Sequence, residues 1–128
     1  MNAEPARTIL VVEDDPMLRE LLAYMVSAQG YEVVEAADGG EAIQALDQQE
    51  ARHPFSLVLL DVMLPGIDGL DVLRHRAERG YAVPIVAMSA SHAHLAAAEQ
   101  AGAQVALAKP FEMAQLLGLL EQQLPPRS

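Results

Sequence analysis

Residues 55–61 read FSLVLLD, five apolar side chains in the first six positions and an acid at the seventh. Polar and apolar residues do not alternate here, so neither face of the segment is written for water. A short, unbroken apolar run of this kind marks a strand covered on both sides, as in a parallel sheet. The loop that follows, DVMLPGIDG at 61–69, carries a proline and two glycines and ends the strand abruptly.

The same signature recurs on either side. TILVVE (8–13), YEVVEA (31–36), VPIVAM (83–88) and AQVALA (103–108) are further strand candidates. Between them lie stretches with helical period. In DPMLRELLAYMVSAQG (15–30), Asp15 suits the N-cap and Pro16 the first turn; Leu18, Leu21, Leu22 and Met25 form an apolar stripe that Gly30 ends. Residues 40–50 place Ala42, Ile43 and Leu46 inward, residues 69–79 run to Gly80, residues 92–101 to Gly102, and residues 112–123 to Pro125-Pro126. Five strand–helix units with right-handed crossovers predict an α/β fold, a three-layer doubly wound (βα)5 sandwich. Strand order does not follow from the pattern. No linker, repeat or low-complexity stretch interrupts residues 1–128, which are expected to form one domain.

Composition narrows the class. With 128 residues, 52% of them hydrophobic, the chain can bury about two-thirds of its unfolded surface. The longest apolar segment, YAVPIVAM (81–88), falls far short of the about 20 residues a bilayer demands. No signal peptide is legible in the opening residues, and the absence of cysteine excludes disulfides and thiolate metal sites. A cytoplasmic protein is expected. A formal charge of −10 repels nucleic-acid phosphates and anionic membranes, so neither is an expected partner. A divalent cation is what such a chain can recruit.

Polar residues gather at the strand ends. The first strand closes on Glu13-Asp14, the third on Asp61, the fourth on Ser89 and the fifth on Lys109, the only lysine in the chain. In an open parallel sheet all of these ends share one edge, where ligands bind. Taken singly each residue has an ordinary reading: a cap, a turn, a solvated pair, a surface lysine. Asp15, Asp38 and Asp68 fit such caps. Together, however, three acids, a hydroxyl and an amine converge. Two carboxylates about 4 Å apart repel by on the order of 4 kcal/mol at an effective dielectric of 20, and a hard cation such as Mg²⁺ relieves this. With that metal, the group suits phosphoryl transfer: a carboxylate nucleophile, and Lys109 and Ser89 for the phosphoryl oxygens.

At this point the chain resembles the receiver domain of bacterial two-component response regulators, over roughly residues 7–124. The likeness rests on ILVVEDDP, LVLLDVMLPGIDGL, PIVAMSA and AKPF in order and spacing. It implies a flavodoxin-like parallel sheet of order 2-1-3-4-5. It also implies Asp61 as phosphoacceptor from a phosphohistidine on a histidine kinase or histidine phosphotransfer protein. Mg²⁺, with Mn²⁺ as a substitute, would be held by Glu13, Asp14, Asp61 and the Met63 backbone carbonyl. Ser89 and Lys109 would contact the phosphoryl group, Ala90 would leave it accessible, and Lys109-Pro110 would be cis. Such a protein catalyses only its own phosphorylation and dephosphorylation. It acts on a downstream protein or an effector domain, and no output domain is legible in this chain. Partner specificity in the family lies largely on the first helix, here around Met17, Arg19 and Glu20.

Two departures stand out. Three residues before the lysine, where receivers carry Tyr or Phe, this chain has Ala106. Aromatic gating is therefore expected to be lost, with Tyr81 the aromatic to check. The stretch from 94 to 124 has no arginine and no charged strand residue, which disfavours a salt-bridged dimer and leaves an alanine-rich face for a partner helix. The rival readings are three. A pseudo-receiver would bind partners without phosphorylation. A phosphohydrolase of the haloacid dehalogenase type wants an acid where Met63 stands. A flavodoxin-like nucleotide binder wants a hydroxyl-rich loop in place of EDDP. The four histidines (53, 75, 92 and 94) suggest no metal site and are expected at the surface.

Overall fold

The computed structural model describes residues 7–124. Strand and helix alternate throughout: β1 (Thr8–Val12), α1 (Pro16–Ala28), β2 (Glu32–Ala36), α2 (Gly39–Glu50), β3 (Leu57–Asp61), α3 (Gly69–Arg79), β4 (Ile85–Ser89), α4 (His92–Gln100), β5 (Val105–Ala108) and α5 (Met113–Gln123). The strands form one parallel sheet of order β2-β1-β3-β4-β5. This is the doubly wound sandwich expected, with the order the family resemblance implied. The last strand is shorter than its apolar run, since pairing begins only at Val105. Pro125-Pro126, read as the stop of the last helix, lie outside the described residues.

Strand parity sorts the core into two layers, because successive side chains leave opposite faces. Leu10, Val12, Val58, Leu60, Ile85 and Ala87 pack with α2, α3 and the buried Ala98 of α4. Ile9, Val11, Leu57, Leu59, Val86 and Met88 pack with Leu22 and Val26 of α1 and Leu116 and Leu120 of α5. One correction falls on α1. The row that meets the sheet is Leu18, Leu22 and Val26, whereas Leu21 is 46% exposed. Leu21 lies one step around the helix, in a second row with Met17 and Tyr24, which are 81% and 70% exposed.

Local chemistry fixes the helix starts. Asp15 accepts from the Met17 N–H and Asp38 from the Glu41 N–H, while Asp68 and Asp71 form a reciprocal capping box. The β3–α3 loop turns at Gly66, whose φ of 68° is left-handed. At Gly69 a Cβ would come within 2.7 Å of the Asp61 carbonyl oxygen, so only glycine lets α3 start against the end of β3.

At the opposite edge of the sheet, α2 and α3 are tied through one carboxylate. Asp47 Oδ1 accepts from the Tyr81 hydroxyl at 2.6 Å and lies 2.8 Å from His75 Nε2. His75 is thus half-buried and bonded, and Tyr81 is committed here. The hydrogen bonds from Tyr81 and His75 hold the Asp47 carboxyl below its ordinary value of 3.8, and the bond to Asp47 raises the Tyr81 phenol above 10.0. A lowered carboxyl stabilises the fold above its unfolded pKa, and that contribution is lost as pH falls through the folded value. A raised phenol stabilises below 10.0, and that contribution is lost as pH climbs through the folded value. Tyr81→Phe is expected to lower the urea midpoint at neutral pH. Above about pH 10 the gap to the parent protein should narrow in a pH series of the same measurement.

Candidate phosphoryl-transfer and metal site

The parity that builds the core also aims the polar residues. Glu13 follows Ile9 and Val11 in phase, and Asp61 follows Leu57 and Leu59. Lys109 likewise follows Leu107. All three therefore leave the sheet on the α1/α5 side, at the ends of β1, β3 and β5. Ser89 has the opposite parity, in phase with Ile85 and Ala87.

The ammonium of Lys109 closes this arrangement. Its Nζ donates to Glu13 Oε1 at 2.7 Å and to Asp61 Oδ2 at 3.1 Å. Both carboxylates are buried, Glu13 to 1% exposure and Asp61 to 5%. Their remaining oxygens are also bonded: Glu13 Oε2 accepts from the Asp15 N–H and Asp61 Oδ1 from the Met63 N–H. The Arg19 guanidinium donates to the Glu13 carbonyl at 2.8 Å, tying α1 to the end of β1. Burial works to lower the Lys109 pKa. The Glu13 hydrogen bond and the Asp61 and Glu13 charges outweigh it, so the ammonium is held above its ordinary 10.5. That preference stabilises the fold below the unfolded value and is lost as pH rises through the folded one.

The acids come close to one another as well. One carboxylate oxygen from each of Glu13, Asp14 and Asp61 lies within 4.8 Å of the other two, and Asp14, unlike its neighbours, is exposed. One ammonium against three carboxylates leaves two formal negative charges, which a divalent cation would cancel. Hard oxygen donors, one of them open to solvent, fit Mg²⁺ in particular. Met63, the fourth expected metal contact, stands beside Asp14 on the wall of a cavity of about 430 Å³.

Ser89 is 1% exposed, and its hydroxyl oxygen accepts from the Ser91 N–H at 3.1 Å. The cap of α4 is Ser91, which accepts from the His94 N–H. Backbone pairing brings Ser89 and Lys109 together, the Lys109 N–H donating to the Ser89 carbonyl at 2.9 Å, and the Lys109-Pro110 bond is cis. Ala106 pairs in register with Ala87, and the Tyr81 hydroxyl is held by Asp47 at the far edge. Sequence reasoning put His94 at the surface with the other histidines. Here the structure differs: His94 is half-buried, lines the same cavity as Asp14 and Met63, and has its Nδ1 buried. Nothing in the helical pattern signals this, because the wall opposite His94 is supplied by the β3–α3 loop.

Removing the ammonium should expose the cost of the buried acids. Lys109→Ala is expected to destabilise the fold by about 3–5 kcal/mol, the range for an orphaned buried charge. Adding Asp61→Asn should return part of that loss. Urea denaturation of the two variants beside the parent measures both effects.

Comparison with known proteins agrees with this geometry. Residues 9–121 match the family described as the response regulator receiver domain. The transcriptional activator protein PfeR of Pseudomonas aeruginosa is 40% identical over 114 residues, covering 88% of this chain and 36% of PfeR. The response regulator MprA of Mycobacterium avium is 42% identical over 111 residues, covering 85% of this chain and 47% of MprA. This chain thus spans less than half of either relative. The chemotaxis protein CheY4 of Vibrio cholerae superposes with a TM-score of 0.80 at 30% identity, over 94% of this chain and all of that one. On sequence and fold alike, the chain belongs to the response regulator receiver domain family, a module of two-component signalling.

Proposed function

We propose that Asp61 is the phosphoacceptor of this receiver and that residues 7–124 form one working domain. The observation that carries the reading is the bridge from Lys109 to both Glu13 and Asp61. It holds a reactive carboxylate beside a cation that can transfer to a phosphoryl oxygen.

In the step proposed, an Asp61 carboxylate oxygen attacks phosphorus on a phosphohistidine. The new O–P bond forms as the N–P bond breaks, and its electron pair returns to the imidazole, which takes up a proton. Lys109 then moves its hydrogen bond from Asp61 to the phosphoryl group while keeping Glu13. The Ser89 hydroxyl, already accepting from Ser91, retains its own proton to donate to a second phosphoryl oxygen. Glu13, Asp14, Asp61 and the Met63 carbonyl would hold Mg²⁺, or Mn²⁺ in its place. When bound, the cation neutralises charge that develops on the transferring group. The chemistry is the domain's own phosphorylation and dephosphorylation, not turnover of a separate substrate.

A kinase or phosphotransfer helix has a place to dock. Met17, Leu21 and Tyr24 form an exposed apolar row on α1. Beside it lies a largely apolar groove of about 410 Å³ lined by Leu18, Leu21, Lys109, Pro110, Phe111 and Met113, leading to the ammonium. The output lies in a partner protein or in a further domain, since residues outside the match make up more than half of PfeR and of MprA. No described helix is long and apolar enough to cross a membrane, and a cytoplasmic setting fits the reading.

The pseudo-receiver alternative keeps the fold without the chemistry, and one experiment separates the two. Incubation with Mg²⁺ and acetyl phosphate is expected to add the mass of one phosphoryl group, acid-stable and labile to base and hydroxylamine. Asp61→Asn should abolish the gain; a parent protein that never gains it is a pseudo-receiver. Mg²⁺ at a hundredfold excess over its Kd should stabilise the fold by about 2.7 kcal/mol, an increment that Asp14→Asn should largely remove in calorimetric melting.

A further inference from the structure

Neither the acid pocket nor the proposed transfer step involves the contact between the β3–α3 loop and the start of α2. Gly39, the first residue of α2, is buried. A Cβ placed on it would overlap the Ile67 carbonyl oxygen and stand 2.7 Å from the Ile67 carbonyl carbon and 2.8 Å from its Cγ2. Non-bonded carbons rest about 3.5–4.0 Å apart, so the Ile67 backbone reaches this position only because residue 39 has no side chain. Gly40 is different. A Cβ there would meet Asp38 Oδ1 at 3.4 Å and Ile67 Cδ1 at 3.9 Å, which is ordinary contact. Neither glycine has a left-handed φ, so the requirement at 39 is for space and not for backbone freedom.

The same loop carries Met63, whose carbonyl is a proposed metal contact. Among the described residues no donor bonds to that carbonyl, so its position is set by the anchors on either side of it. Upstream, the Met63 N–H donates to Asp61 Oδ1 at 3.1 Å. Downstream, the Gly69 N–H donates to the Val62 carbonyl at 2.9 Å, and Asp68 and Asp71 close their capping box. Ile67, seated on Gly39, is the anchor between these. Leu64 is buried and Pro65 has its φ fixed, which leaves little slack between Ile67 and Met63.

We propose that Gly39 is a positioning residue for the metal: by seating Ile67 it holds the Met63 carbonyl where Mg²⁺ needs it. The inference rests on the reading that the acid site, with the Met63 carbonyl, takes Mg²⁺. With a side chain at position 39, either α2 or the loop must retreat. α2 is held by Ala42 and Leu46, both fully buried, whereas Ile67 is 45% exposed, so the loop is what yields. Toward α3 the capping box and the close fit of Gly69 on the Val62 backbone resist movement. The displacement therefore runs back to Met63, which is 54% exposed and anchored by a single N–H. Mg²⁺ demands near-ideal octahedral geometry with ligands about 2.0–2.1 Å away, so a carbonyl moved by a fraction of an ångström is a poorer ligand.

The test titrates Mg²⁺ into the unphosphorylated parent protein, Gly39→Ala and Gly40→Ala by isothermal calorimetry, with Asp14→Asn as the reference for the acid site. Gly39→Ala should bind Mg²⁺ about tenfold more weakly or worse, the range for a group that orients a metal ligand. Gly40→Ala makes the same exchange one residue along and should bind as the parent does. Alanine is a better helix former than glycine, so α2 itself is not weakened in either variant. Phosphoryl uptake from acetyl phosphate gives a second readout. Gly39→Ala should need correspondingly more Mg²⁺ to reach half its maximal rate, with the rate at saturating Mg²⁺ close to the parent's; a variant that was merely less stable would lose uptake at every Mg²⁺ concentration. Should Gly39→Ala fail to fold, Ile67→Ala decides, since it strips the side chain resting on Gly39 from a half-exposed position and should weaken Mg²⁺ in the same direction by a smaller factor. Parent affinity in Gly39→Ala, or in Ile67→Ala where only that variant folds, overturns the proposal, and so does an equal loss in Gly40→Ala. A parent protein that binds no Mg²⁺, or whose binding Asp14→Asn leaves unchanged, overturns the reading of the acid site instead.

Discussion

One ammonium holds this molecule's polar edge together. Glu13 and Asp61 end adjacent strands, both nearly out of solvent, where two carboxylates would repel each other and lack water to screen them. Lys109 arrives from the far strand of the sheet and bonds to both. Its loop must therefore cross over β4 toward β3, and the backbone bond from the Lys109 N–H to Ser89 starts it on that path. A site built this way gives both buried acids a partner and, counted by formal charge, still leaves a net negative pocket for a metal.

The arrangement of the edge follows from strand parity. Once Ile9, Leu57 and Leu107 commit to the α1/α5 layer, Glu13, Asp61 and Lys109 must follow them out on that side, because each lies an even number of residues further on. A slip of one residue in any of the three strands would bury a charge in the other layer. Core packing and site geometry are thus specified by the same hydrophobic pattern. The glycine at 69 serves the same end, since it lets α3 begin against the backbone of Asp61.

The two edges of the sheet divide the labour. At one edge, the Asp47, His75 and Tyr81 side chains join α2 to α3. At the other, buried carboxylates, a buried hydroxyl and the amine gather beneath the loops, with Asp14 open to solvent. With Tyr81 bonded to Asp47 and Ala106 set against Ala87, the β4–β5 pairing carries small side chains at this point. What α4 does offer is a chain of short contacts, from Ser89 through the Ser91 N–H and from Ser91 Oγ to the His94 N–H. The hydroxyl at the strand end and the start of α4 are coupled through it.

Much of this was legible in the residues. Apolar runs of strand length alternating with helical stripes determine the sandwich, because each period admits one kind of element and the short connections admit one crossover hand. Capping aspartates and glycines marked most helix ends for the same local reasons. Strand order came from family likeness, since hydrophobic pattern does not distinguish one central strand from another. Position along the helix circumference was harder: Leu21 is as apolar as Leu22, and only the angle at which α1 meets the sheet leaves it in solvent. The burial of His94 Nδ1 was beyond the sequence altogether. It depends on what surrounds α4 in three dimensions, and a local pattern carries no record of what folds against it.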